Sequence, residues 1–567
     1  MNSFFSEYRT RFLKLIEQSE LDAHEREVPE FDNPAMGTPD TLVCVRIRPM
    51  TDQEKENEHI QGVFEHAKGV VHLYEPRRRT NGKPEVNNSS FTLDEAYGPN
   101  DSTEDIYSNC VSELVEWGLQ GGTGMLIAYG QTGSGKTFTV TGLEILLVEK
   151  MIEAQVSGTK EVRVCIFEVS GSKVLDLLNE RNPLAVREDA FGTMQLNGVL
   201  EYSPKTSNEF FELIDTAKTL RTTASTTKND ESSRSHSICR MRIIDKESAT
   251  ADEGRIMLVD LAGSEASADT TQHSRERMTE TREINKSLSV LKECISKRAQ
   301  WSIARSEGKQ KPIHVPYRTN KLTQVLKSAF DVHNTQTCKT IVVACITPSV
   351  LDVAHSKNTL RYAETLKVPI PKAEAMPFHE QIPITWSNKD VHEWILKNSG
   401  NPNINPKLLA PRDTGIQLCR LDQDEFIRRA LLTKGVEHKQ ANLLYLRLWS
   451  LHIDSRALLN RPGGSVEQIK ALQPKTNEVR KKIVKPGMFF NIRAGEMDQT
   501  VTCVMAMGEE KGGNGTWHCA VVRMAKDCKY SGAHELYVAE QVGVNVGRLD
   551  DELTLVYDSK TRYYYME

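Results

Sequence analysis

The chain has 567 residues, 38% of them hydrophobic and 26% charged, with a formal charge of −5. That length is too great for one hydrophobic core, and the small negative charge argues against a nucleic-acid partner, so an acidic polymer would have to be met by local basic patches. No apolar run approaches the roughly 18 residues of a bilayer span, charge soon follows Met1-Asn2-Ser3-Phe4-Phe5 where a signal peptide would continue apolar, and scattered cysteines without a C-x-x-C pair read as free thiols in a reducing cytoplasm.

Residues 1–38 form a polar, acidic leader in which Phe12, Leu13, Leu15 and Ile16 predict one amphipathic helix before Pro29, Pro34 and Pro39 end regular structure. Over 39–368, β-rich apolar runs alternate with helical stretches. Leu42–Val45, Met125–Ala128, Val162–Phe167, Ile256–Val259 and Thr340–Ala344 read as buried strands, which predicts a layered α/β domain with a central mixed sheet flanked by helices. A proline-bearing linker at 369–384 leads to a compact all-α module at 385–454. A second linker, 455–484, carries Pro462-Gly463-Gly464 and the basic run Arg480-Lys481-Lys482. Residues 485–567 show short alternating runs and the turn Gly512-Gly513-Asn514-Gly515, which predicts a small β-barrel or sandwich. The chain is thus multidomain, without repeats and without sustained heptads.

The segment Gly130-Gln131-Thr132-Gly133-Ser134-Gly135-Lys136-Thr137 follows the apolar strand directly and satisfies G-x-x-x-x-G-K-[ST]. Its glycines let backbone N–H groups turn inward around phosphates, Lys136 supplies positive charge, and the Thr137 hydroxyl suits Mg²⁺. The helix that follows points its positive dipole end at the same anion. Asp260, closing Leu258-Val259-Asp260, is placed to hold Mg²⁺ through water. A dense hydroxyl and charge cluster lies at Asn229-Asp230-Glu231-Ser232-Ser233-Arg234-Ser235-His236.

The phosphate loop after Ala128-Tyr129, the N-x-x-S-S-R-S-H run at 229–236 and Asp260-Leu261-Ala262-Gly263-Ser264-Glu265 together resemble the kinesin motor domain over residues 41–367. The resemblance implies a P-loop ATPase with ATP and Mg²⁺ as ligands. Ser232 and Ser233 would sense the γ-phosphate, with Ser233 also on Mg²⁺. Gly263 would hydrogen-bond the γ-phosphate, and Arg234 would pair with Glu265 to close the site around the attacking water. Arg46-Ile47-Arg48-Pro49 resembles the element that packs on adenine, and Phe138 stands where kinesins usually place a histidine beside the base.

The resemblance also implies a tubulin-facing surface. The helix Ile284–Ile295 turns Ile284, Leu288, Leu291 and Ile295 one way, and Lys286, Lys292, Glu293 and Cys294 are expected at the polymer. Arg318 and Lys321 belong to Val315–Thr323, which resembles a tubulin-contacting loop, and Lys297, Arg298, Arg305, Lys309 and Lys311 form a basic insertion between the two. Lys292-Glu293-Cys294, Lys173–Asn182 and Lys321–Leu326 resemble the kinesin-thirteen subfamily, which removes tubulin from microtubule ends. That subfamily's Lys-Val-Asp finger is not recognisable after Glu75-Pro76, where Arg77-Arg78-Arg79 stands instead, and its basic neck is missing. A translocating motor and a microtubule-binding scaffold with weak turnover therefore stay open beside the depolymerase. The implied location is cytoskeletal, on cytoplasmic, spindle or flagellar microtubules.

Trp386–Val391, Trp394, Gly415–Cys419, Phe426 and Leu443–Trp449 follow an order that resembles a sterile alpha motif (SAM) domain, which implies a protein-binding or self-association surface. In the last domain Trp517, Tyr530, Tyr537 and Tyr563-Tyr564-Tyr565 are expected in the core rather than on a ligand platform.

Overall fold

The computed structural model describes residues 6–24, 41–66, 69–156, 158–223, 234–247, 251–264, 275–306, 313–330, 338–367 and 378–459, and the strands within 489–566. The chain divides into two units, Met1–Ser465 and Val466–Glu567.

The first unit opens with helix α1 (Arg9–His24), strand β1 (Thr41–Ile47), a long hairpin of β2 (Val70–Arg78) and β3 (Pro84–Thr92), the short β4 (Glu95–Tyr97) and β5 (Thr123–Tyr129). Helix α2 (Lys136–Val156) and β6 (Lys160–Ser170) come next, then a small hairpin of β7 (Ala185–Glu188) and β8 (Met194–Asn197) and helix α3 (Ser207–Thr223). Strands β9 (His236–Asp245) and β10 (Gly254–Asp260), the long helix α4 (Arg275–Ser306), β11 (Cys338–Ile346) and α5 (Val353–Leu366) complete the α/β part.

Nine strands form one mixed sheet in the order β4, β1, β11, β5, β10, β9, β6 and the edge strands Lys173–Asp176 and Asn182–Pro183. The β1–β11, β11–β5 and β5–β10 pairs are parallel, whereas β9 runs antiparallel between β10 and β6. Alternate residues of the central strands enter opposite layers, as the two-residue period of a strand requires. Val43, Val45, Met125, Ile127 and Val259 pack beneath α4 and α5. Cys44, Leu126, Ala128 and Leu258 pack beneath α2 and α3. With both faces covered, these strands carry near-continuous apolar runs.

Helix α1 joins this body. Phe12 and Ile16, one turn apart, are buried at 0% and 3% exposure against Ile60, Tyr74 and Val350. The polar leader expected from composition therefore contains a docked element.

Helices α6 (Asn388–Asn398), α7 (Pro406–Leu409), α8 (Gly415–Arg420), α9 (Gln423–Ala430) and α10 (His438–Leu459) enclose Trp386, Trp394, Ile395, Leu418, Phe426 and Leu448. Ser387 caps α6 by accepting from the Asp390 N–H, while the Asp390 carboxylate accepts from the Ser387 N–H at 2.8 Å. Helix α10 continues to Leu459, past the expected boundary at 454, because His452, Ser455 and Arg456 in its last turns are buried or half-buried. Among the described residues no helix is long and apolar enough to cross a membrane.

In the second unit, β12 (Phe489–Arg493), β13 (Val501–Glu509), β14 (Thr516–Met524) and β15 (Leu536–Asn545) form an antiparallel sheet in that order, and Leu555–Asp558 pairs with Tyr563–Met566. Tyr530 lies outside the described residues.

Candidate nucleotide site and its link to helix α4

The site lies at the carboxyl ends of parallel strands β5 and β10, where open α/β sheets place their ligand crevices. Gly130, Gly133 and Gly135 have φ of +156°, +77° and +92°, values L side chains rarely adopt. A Cβ on Gly130 would sit 2.1 Å from the Cys345 carbonyl, whereas one on Gly133 would meet nothing within 4 Å. The loop is therefore pressed to the sheet at one end and open at its crown. Lys136, 6% exposed, donates to the Gln131 carbonyl at 2.8 Å and starts α2, whose first N–H groups point back at the loop. A buried ammonium beside a helix N-terminus and an open crown is the complement of a phosphate chain.

Thr137 donates to Asp260 Oδ2 at 2.8 Å, while Asp260 Oδ1 is buried without a hydrogen-bond partner. Leaving a carboxylate oxygen in that condition is costly, and a hydrated cation would relieve it. Among the described residues no group of three or more His, Cys, Asp or Glu gathers to hold a metal. A Mg²⁺ here would therefore lean on phosphate oxygens and water, as that ion commonly does. Thr137 and Asp260 fit that role.

Arg221, in the last turn of α3, was not assigned a part in the site by the sequence. Its guanidinium lies 3.4 Å from Asp260 Oδ2 and donates to the Ser235 carbonyl at 2.6 Å and the Ser235 hydroxyl at 3.3 Å. The Ser235 hydroxyl also reaches the buried carboxylate of Glu168, which is ion-paired with Arg181. Arg221 thus ties α3, the entry to β9 and the end of β10 together.

His236 extends the network. Its Nδ1 accepts from the Ala262 N–H at 3.0 Å, which leaves the proton on Nε2 to donate to the Ser287 hydroxyl at 2.8 Å. Ser287 in turn donates to the Ile284 carbonyl at 2.7 Å, inside α4. Burial, helped by Arg221 and Lys136, pushes the imidazole down to about 3, so the ring is neutral. On the other side of the same turn, the Ser264 N–H donates to the Gly130 carbonyl at 3.1 Å. Gly263 is therefore held between the phosphate loop and α4. Arg234 stands at the turn before β9, and Ser232, Ser233 and Glu265 lie outside the described residues.

Around the expected base position, Arg46 is buried, donates to the Thr139 hydroxyl at 3.1 Å and lies 5.3 Å from the Phe138 ring centre. Phe138 is 71% exposed and offers a free aromatic face. Arg48 braces the loop through the Gly133 carbonyl at 2.8 Å, donates to the Pro49 carbonyl and forms a two-pronged pair with Glu54 at 2.6 and 2.7 Å. Arg48 foremost holds the Glu54 carboxyl down at about 2. Glu54 carried no signal in the sequence beyond the T-x-x-E spacing of a capping box with Thr51, which it forms.

On α4, Lys286 and Glu293 are exposed. Cys294 corrects the expected polymer face: it is fully buried, and burial pushes its thiol up to about 12. Lying three residues after Leu291 and one before Ile295, it falls within the apolar stripe. Lys292 is half-buried, its ammonium 5.4 Å from the ring centre of Tyr362, which stacks on Tyr129 at 4.1 Å immediately before the phosphate loop. Arg318 is exposed and paired with Glu188 at 2.8 Å, and Lys321 donates to Gln324 at 3.1 Å. Lys297 and Arg298 are half-exposed on α4. Lys309, Lys311 and the side chain of Arg305 lie outside the described residues.

A family model of the kinesin motor domain matches residues 46–368, more than half of the chain. Diatom spindle kinesin-1 of Cylindrotheca fusiformis is 35% identical over 365 residues, covering 63% of this chain and 55% of that protein. The chain thus matches only about half the length of that curated relative. A solved fast kinesin, described for its ATPase mechanism and interactions with microtubules, aligns with a TM-score of 0.50 at 29% identity over 59% of this chain and 93% of its own. A KIF14 dimer in its two-heads-bound state with AMP-PNP, in complex with a microtubule, aligns with a TM-score of 0.50 at 27% identity over 60% of this chain and 96% of its own.

Proposed function

The chain belongs to the kinesin motor family, and from that premise we propose that it is a microtubule-stimulated ATPase whose nucleotide state sets its grip on tubulin. The observation that carries this reading is a continuous run of hydrogen bonds. Asp260 ends the strand that leads into Leu261–Ser264, and the Ala262 N–H of that turn holds His236, which holds Ser287 on α4.

ATP is the substrate, and Mg²⁺ held by Thr137 and Asp260 would supply charge neutralisation at the β- and γ-phosphates. Lys136 and the N-terminus of α2 bind and orient the phosphate chain. Arg221 fixes Ser235, next to the end of the hydroxyl cluster at 229–236. We assign Ser232, Ser233, Arg234, Gly263 and Glu265 to sensing the γ-phosphate and closing around water. A shift of Gly263 toward that phosphate draws on Ala262, and His236 carries the displacement to Ser287. Since α4 also bears Lys286 and Glu293, movement there changes what the polymer meets.

Asp260→Asn should lower microtubule-stimulated turnover by about 100-fold, the scale of losing one preorganised electrostatic partner. His236→Ala should keep ATP binding yet lose the difference in microtubule affinity between the ADP and AMP-PNP states. Purified protein that hydrolyses ATP no faster with microtubules, or binds them alike in both nucleotide states, would sink the reading.

Within the family we favour action at microtubule ends over processive walking. Two features support this: residues 368–567 carry no heptads, and the β2–β3 hairpin carries Arg77, Arg78, Arg79 and Lys83 at its tip. The spindle relative and the microtubule-bound dimeric neighbour favour the alternative of a translocating motor. Stabilised microtubules given protein and ATP should shorten from their ends; gliding without shortening means translocation. We also read α6–α10 as a SAM-like module and the last unit as a small β domain.

A further inference from the structure

The turn between β7 and β8 carries a large apolar residue at its tip, Phe191, where a solvent-exposed hairpin has no use for one. Asp189 builds this turn tightly: its carboxylate accepts from the N–H groups of Phe191 and Thr193, each at 2.9 Å, and from Gln195 at 2.8 Å. The rigid turn presents Phe191 to the helical module. The ring meets Trp449 edge-on at 5.7 Å and His452 at 4.9 Å, with the Arg420 guanidinium 5.8 Å from its centre. Polar contacts flank this plug. His452 Nε2 donates to the Ala190 carbonyl at 3.2 Å, Arg420 pairs with Asp252 in the turn before β10, and Arg456 pairs with Glu188 at 3.1 Å. Gly192 permits the last contact, because a Cβ there would lie 1.9 Å from the Arg456 guanidinium, and its φ of +81° disfavours any other residue.

Glu188 makes this contact more than packing. Its Oε1 also accepts from the buried Lys327 at 3.0 Å, and its Oε2 from Arg318 at 2.8 Å. One carboxylate thus serves three cations. One belongs to the motor core, one to the helical module, and one, Arg318, to the segment assigned above to the tubulin face, with 71% of its side chain exposed.

We propose that the helical module is a docked regulator of the motor, anchored by Phe191, and that Glu188 couples its docking to the freedom of Arg318 to engage an acidic polymer. The sign follows from charge. Two guanidinium groups that share a carboxylate repel each other and divide its field. Arg456 in place weakens the hold of Glu188 on Arg318 and so releases Arg318 to the polymer. By linkage, a polymer that takes Arg318 strengthens the pairing of Glu188 with Arg456. Docking and track binding therefore favour one another. This inference rests on the microtubule reading above.

The test is a double-variant cycle on the full chain, read as microtubule co-sedimentation in AMP-PNP at low salt. Arg456→Ala should weaken binding about two- to fivefold, the scale of one partly exposed ion pair, without changing ATPase activity in the absence of microtubules. In an Arg318→Ala background the same change should have no further effect. Phe191→Ala, which undocks the module by a different route, should reproduce the loss and raise hydrogen exchange in the last turns of α10. If Arg318→Ala alone leaves binding untouched, the assignment of Arg318 to the tubulin face fails. If Arg318→Ala weakens binding but Arg456→Ala does not, or Arg456→Ala tightens it, the coupling proposed here fails while the motor reading stands.

Discussion

At the scale of single residues, His236 and Glu144 are buried titratable groups on neighbouring elements whose shifts oppose each other. Burial holds His236 down at about 3, so between pH 6.5 and 3 the unfolded chain takes up a proton that the fold refuses. Stability due to the neutral ring is present above pH 6.5 and is lost as pH falls, by about 2 kcal/mol between pH 7 and pH 5. Glu144 in α2 is raised to about 7 by burial, and Cys239 beside it opposes that shift. Its fold keeps a proton that the unfolded chain releases near 4.5, so this contribution is present at low pH and is lost as pH rises toward 7. Denaturant unfolding at pH 7 and pH 5 separates the two. On acidification His236→Gln should gain about 2 kcal/mol relative to wild type, and Glu144→Gln should lose a similar amount. Parallel pH trends for both variants and the wild type would refute the assignment. The phosphate loop was legible in the sequence because its backbone demands glycine at fixed places, and Asp260 because it ends an apolar strand. Arg221, His236 and Ser287 were not legible as a network. They lie 15 to 66 residues apart (Arg221 to His236, Arg221 to Ser287), and only the packing of α3 and α4 against the sheet brings such positions together.

At the scale of elements, amphipathic periodicity reads an apolar stripe well and its polar edges badly. On α4 the stripe through Ile284, Leu288, Leu291 and Ile295 is buried as its spacing requires, but Cys294 was placed on the outer face by likeness and sits in the core. In the leader, the amphipathic helix expected from Phe12, Leu13, Leu15 and Ile16 forms as α1, and of those four Phe12 and Ile16 are buried while Leu13 is exposed. Burying a phenylalanine and an isoleucine fully is worth about 1.5–3 kcal/mol each, enough to seat one helix on the β2–β3 hairpin. Phe12→Ala should therefore cost about 3 kcal/mol and strip protection from the amides of α1, whereas Leu13→Ala, on the exposed side at 38% exposure, should cost little. Equal thermal shifts for the two variants would mean that α1 is not seated through Phe12.

At the scale of the whole first unit, the question is whether the α/β body and the helical module respond to nucleotide as one. Among the described residues their contacts include one aromatic plug, two ion pairs and one hydrogen bond to a backbone carbonyl. Nothing in the sequence announced these contacts, since Phe191 and Arg456 each look like ordinary turn and helix residues until the fold sets them side by side. A ligand present at 100 times its Kd stabilises the state that binds it by about 2.7 kcal/mol. If the module opens only when the α/β body opens, that gain must appear in the module as well. Native-state hydrogen exchange with AMP-PNP should then slow the amides of α10 together with those of β5 and β10. Phe191→Ala removes the plug without touching the phosphate loop, so it should leave the slowing in β5 and β10 and abolish it in α10. Amides of α10 that ignore the nucleotide in the wild-type chain would show that the module opens on its own and that its contact with the motor does not carry the nucleotide state.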